Sequence, residues 1–425
     1  MQFNRQFAAV CVAAVVCAAL PAQIVVQKPG EEYAAFLKGN DTFGLRLLEQ
    51  IQKEDPEHNV VLAPLPLTIL LGAIQEYSAR APARDQLGEV FGWGPGPDLA
   101  IPSKMILGAM DPPKKPEATG TAAKVKRPLY EPDELWIENR LLYRTPKGRG
   151  ELLAPRFRKH VSEYFGLQLV NTGNRLPSKA DLESSRTRVG ALPEVNPLDQ
   201  VWLSSGIHLR ATWEELFMES EPEPWEFHTE SGKTVPIKAV QSGIEKLLYL
   251  KSDQIEAVVL PCGRVDMIIV LPKAGMKISE LERMLVANPE VLDALQPKLG
   301  VVHFPIFEIK ALMHLEKALQ EMGVKDIFEH LDGITARSEE DKDRAWDAGN
   351  SSRITDIGQK ADFAADKHGI HADAETLVGA IPLGILMADD VFRMSLDRPF
   401  VFIVREHATG AMLFVGSLME PGAAQ

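Results

Sequence analysis

The amino-acid sequence predicts an α+β fold with large sheets, built as one domain, and three observations carry that expectation. Helical periodicities and strand-like runs alternate along the chain without regular β–α–β spacing. The chain closes on two apolar runs, residues 394–404 and 411–419, flanking the polar connection Arg405-Glu-His-Ala-Thr-Gly410. Such a pair reads as a buried hairpin, with Pro399 at the start of the first run, where a missing N–H is tolerated. Finally, 425 residues that are 45% hydrophobic and 25% charged can bury a large core.

Residues 1–22 carry Arg5, an apolar stretch over 7–20 and the small exit residue Ala22. That is the pattern of a secretory signal peptide, too short to span a membrane, which leaves 23–425 as the folded domain. Residues 43–52 place Gly44, Leu47, Leu48 and Ile51 on one face of a helix. Residues 69–74 are almost wholly apolar and so belong to a helix inside the fold, with Pro64 and Pro66 at its entry. Residues 94–132 are rich in proline and read as an extended insertion without a long helix. Strands are expected over 201–203, 258–260, 267–271 and 301–309. Leu312, Leu315, Leu319 and Met322 give a further amphipathic helix, stopped by Gly323.

A formal charge of −13, one unit more negative without Arg5, argues against nucleic acid or an anionic polysaccharide as partner. The basic residues Lys114, Lys115, Lys124, Lys126 and Arg127 cluster in the proline-rich insertion and read as a solvated loop. Cys11 and Cys17 lie in the leader, which leaves Cys262 alone, without an internal disulfide and set among apolar runs as a buried small hydrophobe. Asn40 and Asn350 begin glycosylation tripeptides.

Enzyme readings find little support. Ser231-Gly-Lys-Thr234 resembles the end of a phosphate-binding loop, but Phe227 stands where its first glycine belongs. No Gly-x-Ser-x-Gly elbow occurs, and His368 and His371 lack the partner set a metal needs. Neither catalysis, a cofactor nor a bound metal is expected.

Several segments together resemble one family. Asn59-Val-Val-Leu-Ala-Pro-Leu-Pro-Leu67, Leu135-Trp-Ile-Glu-Asn139, Trp213-Glu-Glu-Leu-Phe217, the apolar pair over 258–272, Phe304-Pro-Ile-Phe-Glu-Ile-Lys310, Leu319-Gln-Glu-Met-Gly-Val-Lys-Asp-Ile-Phe328 and Leu396-Asp-Arg-Pro-Phe-Val-Phe402 with Leu413-Phe-Val-Gly416 follow in the order found in the serpins. The resemblance covers about residues 40–421. It implies a single serpin-type domain with large mixed and antiparallel sheets, about eight or nine helices and an exposed reactive-centre loop over residues 366–392.

In the family that loop is bait: a protease cuts it, becomes trapped as an acyl-enzyme, and is dragged along as the loop inserts into the main sheet. Insertion requires uncharged residues at every second position, because alternate side chains enter the core. After the hinge glycine, Gly369, the even positions are Ile370, Ala372, Ala374, Thr376 and Val378, whereas His371, Asp373 and Glu375 share the other face. The family's spacing puts the bait bond between Leu383 and Gly384, and counting back from Pro399 keeps Leu386 and Met387 as alternatives. All three candidate residues before the bond are apolar, which suits a chymotrypsin- or elastase-like primary pocket.

The departures concern the gate of the main sheet, where the family carries two serines, an asparagine and a histidine. Here those positions hold Ala63, Pro66, Ser205 and Gln359. Lys367 replaces the hinge acidic residue, with Asp366 displaced by one, and Ile370 is bulkier than the usual residue after the hinge. Two functions are therefore expected: a secreted, monomeric suicide inhibitor of a serine protease or, alternatively, a non-inhibitory serpin acting as carrier or interaction protein.

Overall fold

The computed structural model describes residues 30–94, 98–110, 133–145, 151–178, 181, 201–214, 217–219, 225–335, 353–371 and 391–422. Within them the chain forms two large sheets and a small hairpin, with helices around and between them. The expected leader lies outside the described residues.

The larger sheet has ten strands. Along it run β1 (Val60–Leu62), β18 (Met412–Leu418), β17 (Phe400–Glu406), β11 (Val265–Pro272), β10 (Ile255–Cys262), β9 (Glu245–Lys251), β12 (Gln296–Pro305), β8 (Ala239–Ser242) and β5 (Phe217–Glu219), while β16 (Phe392–Ser395) pairs with β12. The terminal hairpin β17–β18 sits at its heart, and every residue of β18 is buried. Gly416 explains the Leu-Phe-Val-Gly wording physically. A Cβ there would lie 2.4 Å from the Val60 carbonyl and 2.6 Å from the Phe402 ring, so only glycine lets β1 and the phenyl ring close over the strand.

The second sheet, here called the main sheet, has six strands. These are β13 (Phe307–His314), β14 (Ile354–Ala365), β15 (Gly369–His371), β4 (Val201–Thr212), β2 (Glu134–Tyr143) and β3 (Gln168–Asn171). A separate hairpin joins β6 (Trp225–His228) to β7 (Thr234–Ile237). The tripeptide Gly-Lys-Thr falls at its turn and start, where Gly232 has φ +83°.

Helix α1 (Glu31–Glu54) covers the terminal hairpin, and α2 (Pro64–Tyr77) runs between the sheets, touching β18 on one side and β2 and β4 on the other. Residues 64–75 of α2 are all buried, as the unbroken apolar run requires. Each of its leucines and isoleucines contributes about 1.5–3 kcal/mol on burial, an upper figure because the unfolded chain is itself partly compact. Pro64 and Pro66 occupy the first turn, where they remove N–H groups that would have no helical partner.

Three expectations need correction. Within the proline-rich segment, Ala100–Met110 forms a helix, α4, which follows α3 (Ala81–Phe91). Pro102 falls in its first turn, where proline is tolerated, and Ala100, Ile106 and Met110 are buried. Residues 111–132 lie outside the described residues. The strand expected over 301–309 is two strands, since β12 ends at Pro305 and β13 begins at Phe307 in the other sheet. Leu312 belongs to β13 and is 60% exposed, so the helix begins only at Glu316. Gly323 ends it as expected, at φ +105°, with the Val324 N–H reaching back to the Leu319 carbonyl.

Candidate hinge and gate of the main sheet

Strands β4 and β14 are parallel neighbours, but only part of the way. Their pairing runs from Val201–Ile354 to Gly206–Lys360. Beyond it β15 enters between them, antiparallel to both, with Ile370 opposite Ala365 on one side and Ala211 on the other. The first residues of the expected loop therefore occupy a central position in the sheet.

Local chemistry explains the entry. The chain reverses after β14 through Asp366 and Lys367, and the Asp366 N–H donates to the Gly369 carbonyl at 3.1 Å. The Asp366 carboxylate accepts from the backbone N–H groups of His368 (2.7 Å) and Gly369 (3.3 Å), the self-bonding that favours aspartate in turns. Trp213, just past β4, donates its indole N–H to the Asp366 carbonyl at 2.6 Å and its backbone N–H to the His368 carbonyl at 3.1 Å. Lys367 reaches Glu219 of β5 at 2.7 Å, and that ammonium, as hydrogen-bond donor and then as charge, holds the Glu219 carboxyl below its ordinary range. Gly369 has no room for a side chain, since a Cβ would stand 2.0 Å from the Ala211 carbonyl oxygen. Ile370 is 1% exposed, and its backbone N–H lies on the sulfur of Cys262, whose thiol burial pushes far up its titration range.

The gate positions form one row. Gln359 of β14 is opposite Ser205 of β4, which is opposite Asn139 of β2. All three are buried, facing the start of α2. The Gln359 amide accepts the Ala63 N–H at 3.0 Å and donates to the Ala63 carbonyl at 2.8 Å. Asn139 donates to the Pro66 carbonyl at 2.8 Å. Thus the chain without the family's serines and histidine ties β14 and β2 to the helix through backbone groups. The Ser205 hydroxyl and the Asn139 side-chain carbonyl have no partner among the described residues, so this row is imperfectly satisfied.

Asn139, Trp213, Glu219 and Cys262 enter the site although none was expected to act there. For Asn139 a signal existed: Leu135, Ile137 and Leu141 alternate with it on the inner face of β2, so an amide in that series had to find a buried partner. Glu219 gave no signal, because its contact depends on how two sheets meet. Ala372, Ala374, Thr376, Leu383, Gly384, Leu386 and Met387 lie outside the described residues, as does Asn350. Asn40 is a correction. It is fully buried on α1, donates to the Met412 carbonyl at 3.0 Å and accepts from the Thr68 hydroxyl at 2.9 Å, which leaves no amide free for a glycan.

Comparisons with known proteins identify the family and the fold. A family model described as Serpin (serine protease inhibitor) matches residues 38–421. Serpin-ZX of Arabidopsis thaliana is 25% identical over 378 residues, 85% of this chain and 92% of that protein. Arabidopsis AtSerpin1, in a structure titled native stressed conformation, superposes with a TM-score of 0.72 at 20% identity, covering 92% of this chain and 99% of its own. Human thyroxine-binding globulin, solved with its thyroid hormone, gives a TM-score of 0.72 at 17% identity over the same shares.

Proposed function

This chain belongs to the serpin family, and on that premise we propose that it is a secreted inhibitor that traps a serine protease by inserting its cleaved loop into the main sheet. The observation that carries the reading is the position of β15, antiparallel to two strands that are otherwise each other's parallel partners. Continuing that strand would separate β14 from β4 residue by residue, in the direction insertion requires. The uncharged series Ile370, Ala372, Ala374 and Thr376 would then face the core, and a charge there would cost several kcal/mol. The hinge is Gly369; the reactive bond is Leu383–Gly384, with Leu386 and Met387 as the alternatives. The apolar residue before the bond suits a chymotrypsin- or elastase-like target, and the chain acts as a monomer without cofactor, nucleic acid or membrane.

The test is covalent. Chain mixed with chymotrypsin-, elastase- and trypsin-like proteases should give a band at the summed mass on denaturing gels with the first or second, and little with trypsin. Leu383→Arg should move the preference towards trypsin. Cleavage by every protease without a covalent band would favour the second reading, a non-inhibitory carrier or interaction protein, for which the replaced gate residues Ala63, Pro66, Ser205 and Gln359 speak.

A further inference from the structure

We infer that the groove enclosed by α4, α5 (Pro155–Tyr164) and the first half of β2 is a binding site for a small amphipathic anion, a carboxylate or sulfonate carried on an apolar body. The site stands apart from the inhibitory reading, since none of the residues used below belongs to the hinge, the bait loop or the gate row.

The space comes from how three elements meet. On one side β4 pairs with β2 along its whole length, but on the other β3 pairs with it only over Arg140–Tyr143. Among the described residues, 134–139 therefore form an open strand edge. Helices α4 and α5 lie beside that edge without filling it and leave about 340 Å³, within the range of about 300–1,000 Å³ that takes small ligands. Leu107 and Met110 of α4 and Leu135 and Ile137 of β2 supply an apolar wall. Ile101, Lys104, Met105 and Gly108 lie three and four residues apart on the exposed face of α4. Ile101 and Met105 are 45% and 52% exposed, so apolar surface continues along the helix beyond the groove. Gly108 lines the groove, and a Cβ there would meet nothing within 4 Å.

Two donors among the lining residues set the charge of the ligand. Lys104 holds its ammonium 4.5 Å from the centre of the Tyr164 ring and 3.4 Å from the Glu163 carboxylate. Both members of that ion pair are about half exposed, so it is weak and leaves the ammonium able to take another anion. Trp136 stacks nearly parallel on His208 at 3.9 Å, which fixes its indole. Its N–H is buried and has no hydrogen-bond partner among the described residues. A buried donor left unpaired is costly, and an oxygen bound in the groove would relieve it. A neutral hydrocarbon would leave the indole unpaired, and a cation would meet Lys104. The ligand that suits both donors and the wall has anionic oxygens at one end and hydrocarbon at the other.

Isothermal titration calorimetry of the full chain with dodecanoate, naphthoate and dodecyltrimethylammonium tests this. Dodecanoate or naphthoate should bind saturably at one site, the tighter of the two showing whether the occupant is aliphatic or aromatic, and the cation should not bind there. Gly108→Phe puts a side chain where there is room for one and replaces a weak helix former, so it should keep the fold and abolish binding. Lys104→Gln and Trp136→Phe should each weaken binding by about tenfold, the scale of one charge-assisted hydrogen bond. Lys104 is exposed, so its variant keeps the test open if Gly108→Phe fails to fold. Saturable binding of neither anion, tighter binding of the cation, or anion affinity unchanged in the folded variants would each overturn the inference.

Discussion

The terminal hairpin and the row of gate positions are both buried in β-sheet, yet they are built on opposite principles. In β17–β18 the stability is apolar and symmetric: Phe400, Phe402, Val404, Phe414 and Val415 are wholly buried, and Phe402 stacks on Phe363 across the core at 4.7 Å. In the row Gln359–Ser205–Asn139 the contacts between sheet and helix are amides on backbone groups, with two polar atoms left without partners among the described residues. Apolar packing has no directional alternative, so the hairpin has one state. Hydrogen bonds to a helix end can be broken singly, so on the inhibitory function proposed above this row would yield without loss of the core. That is the property a sheet needs if a strand is to enter it.

The largest effect that sharpens this contrast lies in the hairpin. Phe402→Ala should cost about 3–5 kcal/mol in denaturant unfolding of the uncut chain and leave exchange at the hinge unchanged. A mutant that also unseated the hinge would show that the two regions are not separable. In the gate, Gln359→Ala leaves the Ala63 N–H and carbonyl without their side-chain partner, a cost of about 1–3 kcal/mol for each group left unsatisfied. Unlike the hairpin variant, it should also speed any stability gain that follows loop cleavage, followed as melting temperature against time after nicking.

A smaller effect depends on pH. Glu282, on the helix Ile278–Ala287, is buried; burial first, then the neighbouring carboxylates Glu49 and Glu230, push its pKa from 4.5 up to about 8. The unfolded chain ionises this group near 4.5 while the folded one holds the proton to about 8, so its contribution to stability falls as pH rises across that window. Glu282→Gln should therefore gain on the unmodified chain between those limits, and parallel unfolding curves at both ends would refute the assignment. The smallest effect should come from Glu219→Gln. Glu219 is exposed and its pair with the half-buried Lys367 is screened, so global stability should not move measurably and only exchange at residues 366–369 should quicken.

How much was legible follows the same division. The hairpin and α2 could be read because burial writes itself as apolar runs, and their partners are given by that pattern alone. Asn40 could also have been read: it shares the face of Phe36, Phe43 and Leu47 on α1, and that spacing outweighs a three-residue glycosylation wording. Helix α4 was hidden by composition, because prolines on both sides of Ala100–Met110 say nothing of the turn in which Pro102 falls. Leu312 mimics a helical position because it stands three residues before Leu315 and seven before Leu319, a helix-like spacing that continues across a strand end. The gate was legible only as departures. Which backbone groups Gln359 and Asn139 would find depends on where α2 meets three strands, and no local pattern records that.

The central claim is that the loop after Gly369 becomes a central strand once cut, and melting of a cleanly nicked chain tests it most directly. Cleavage at or near Leu383 should raise the melting temperature by about 10 °C or more, because a strand paired on both sides adds ladder hydrogen bonds and buried side chains worth several kcal/mol. Ala374→Asp should abolish the rise by placing a carboxylate on the inner face. An unchanged melting curve after complete cleavage of the unmodified chain would contradict the account.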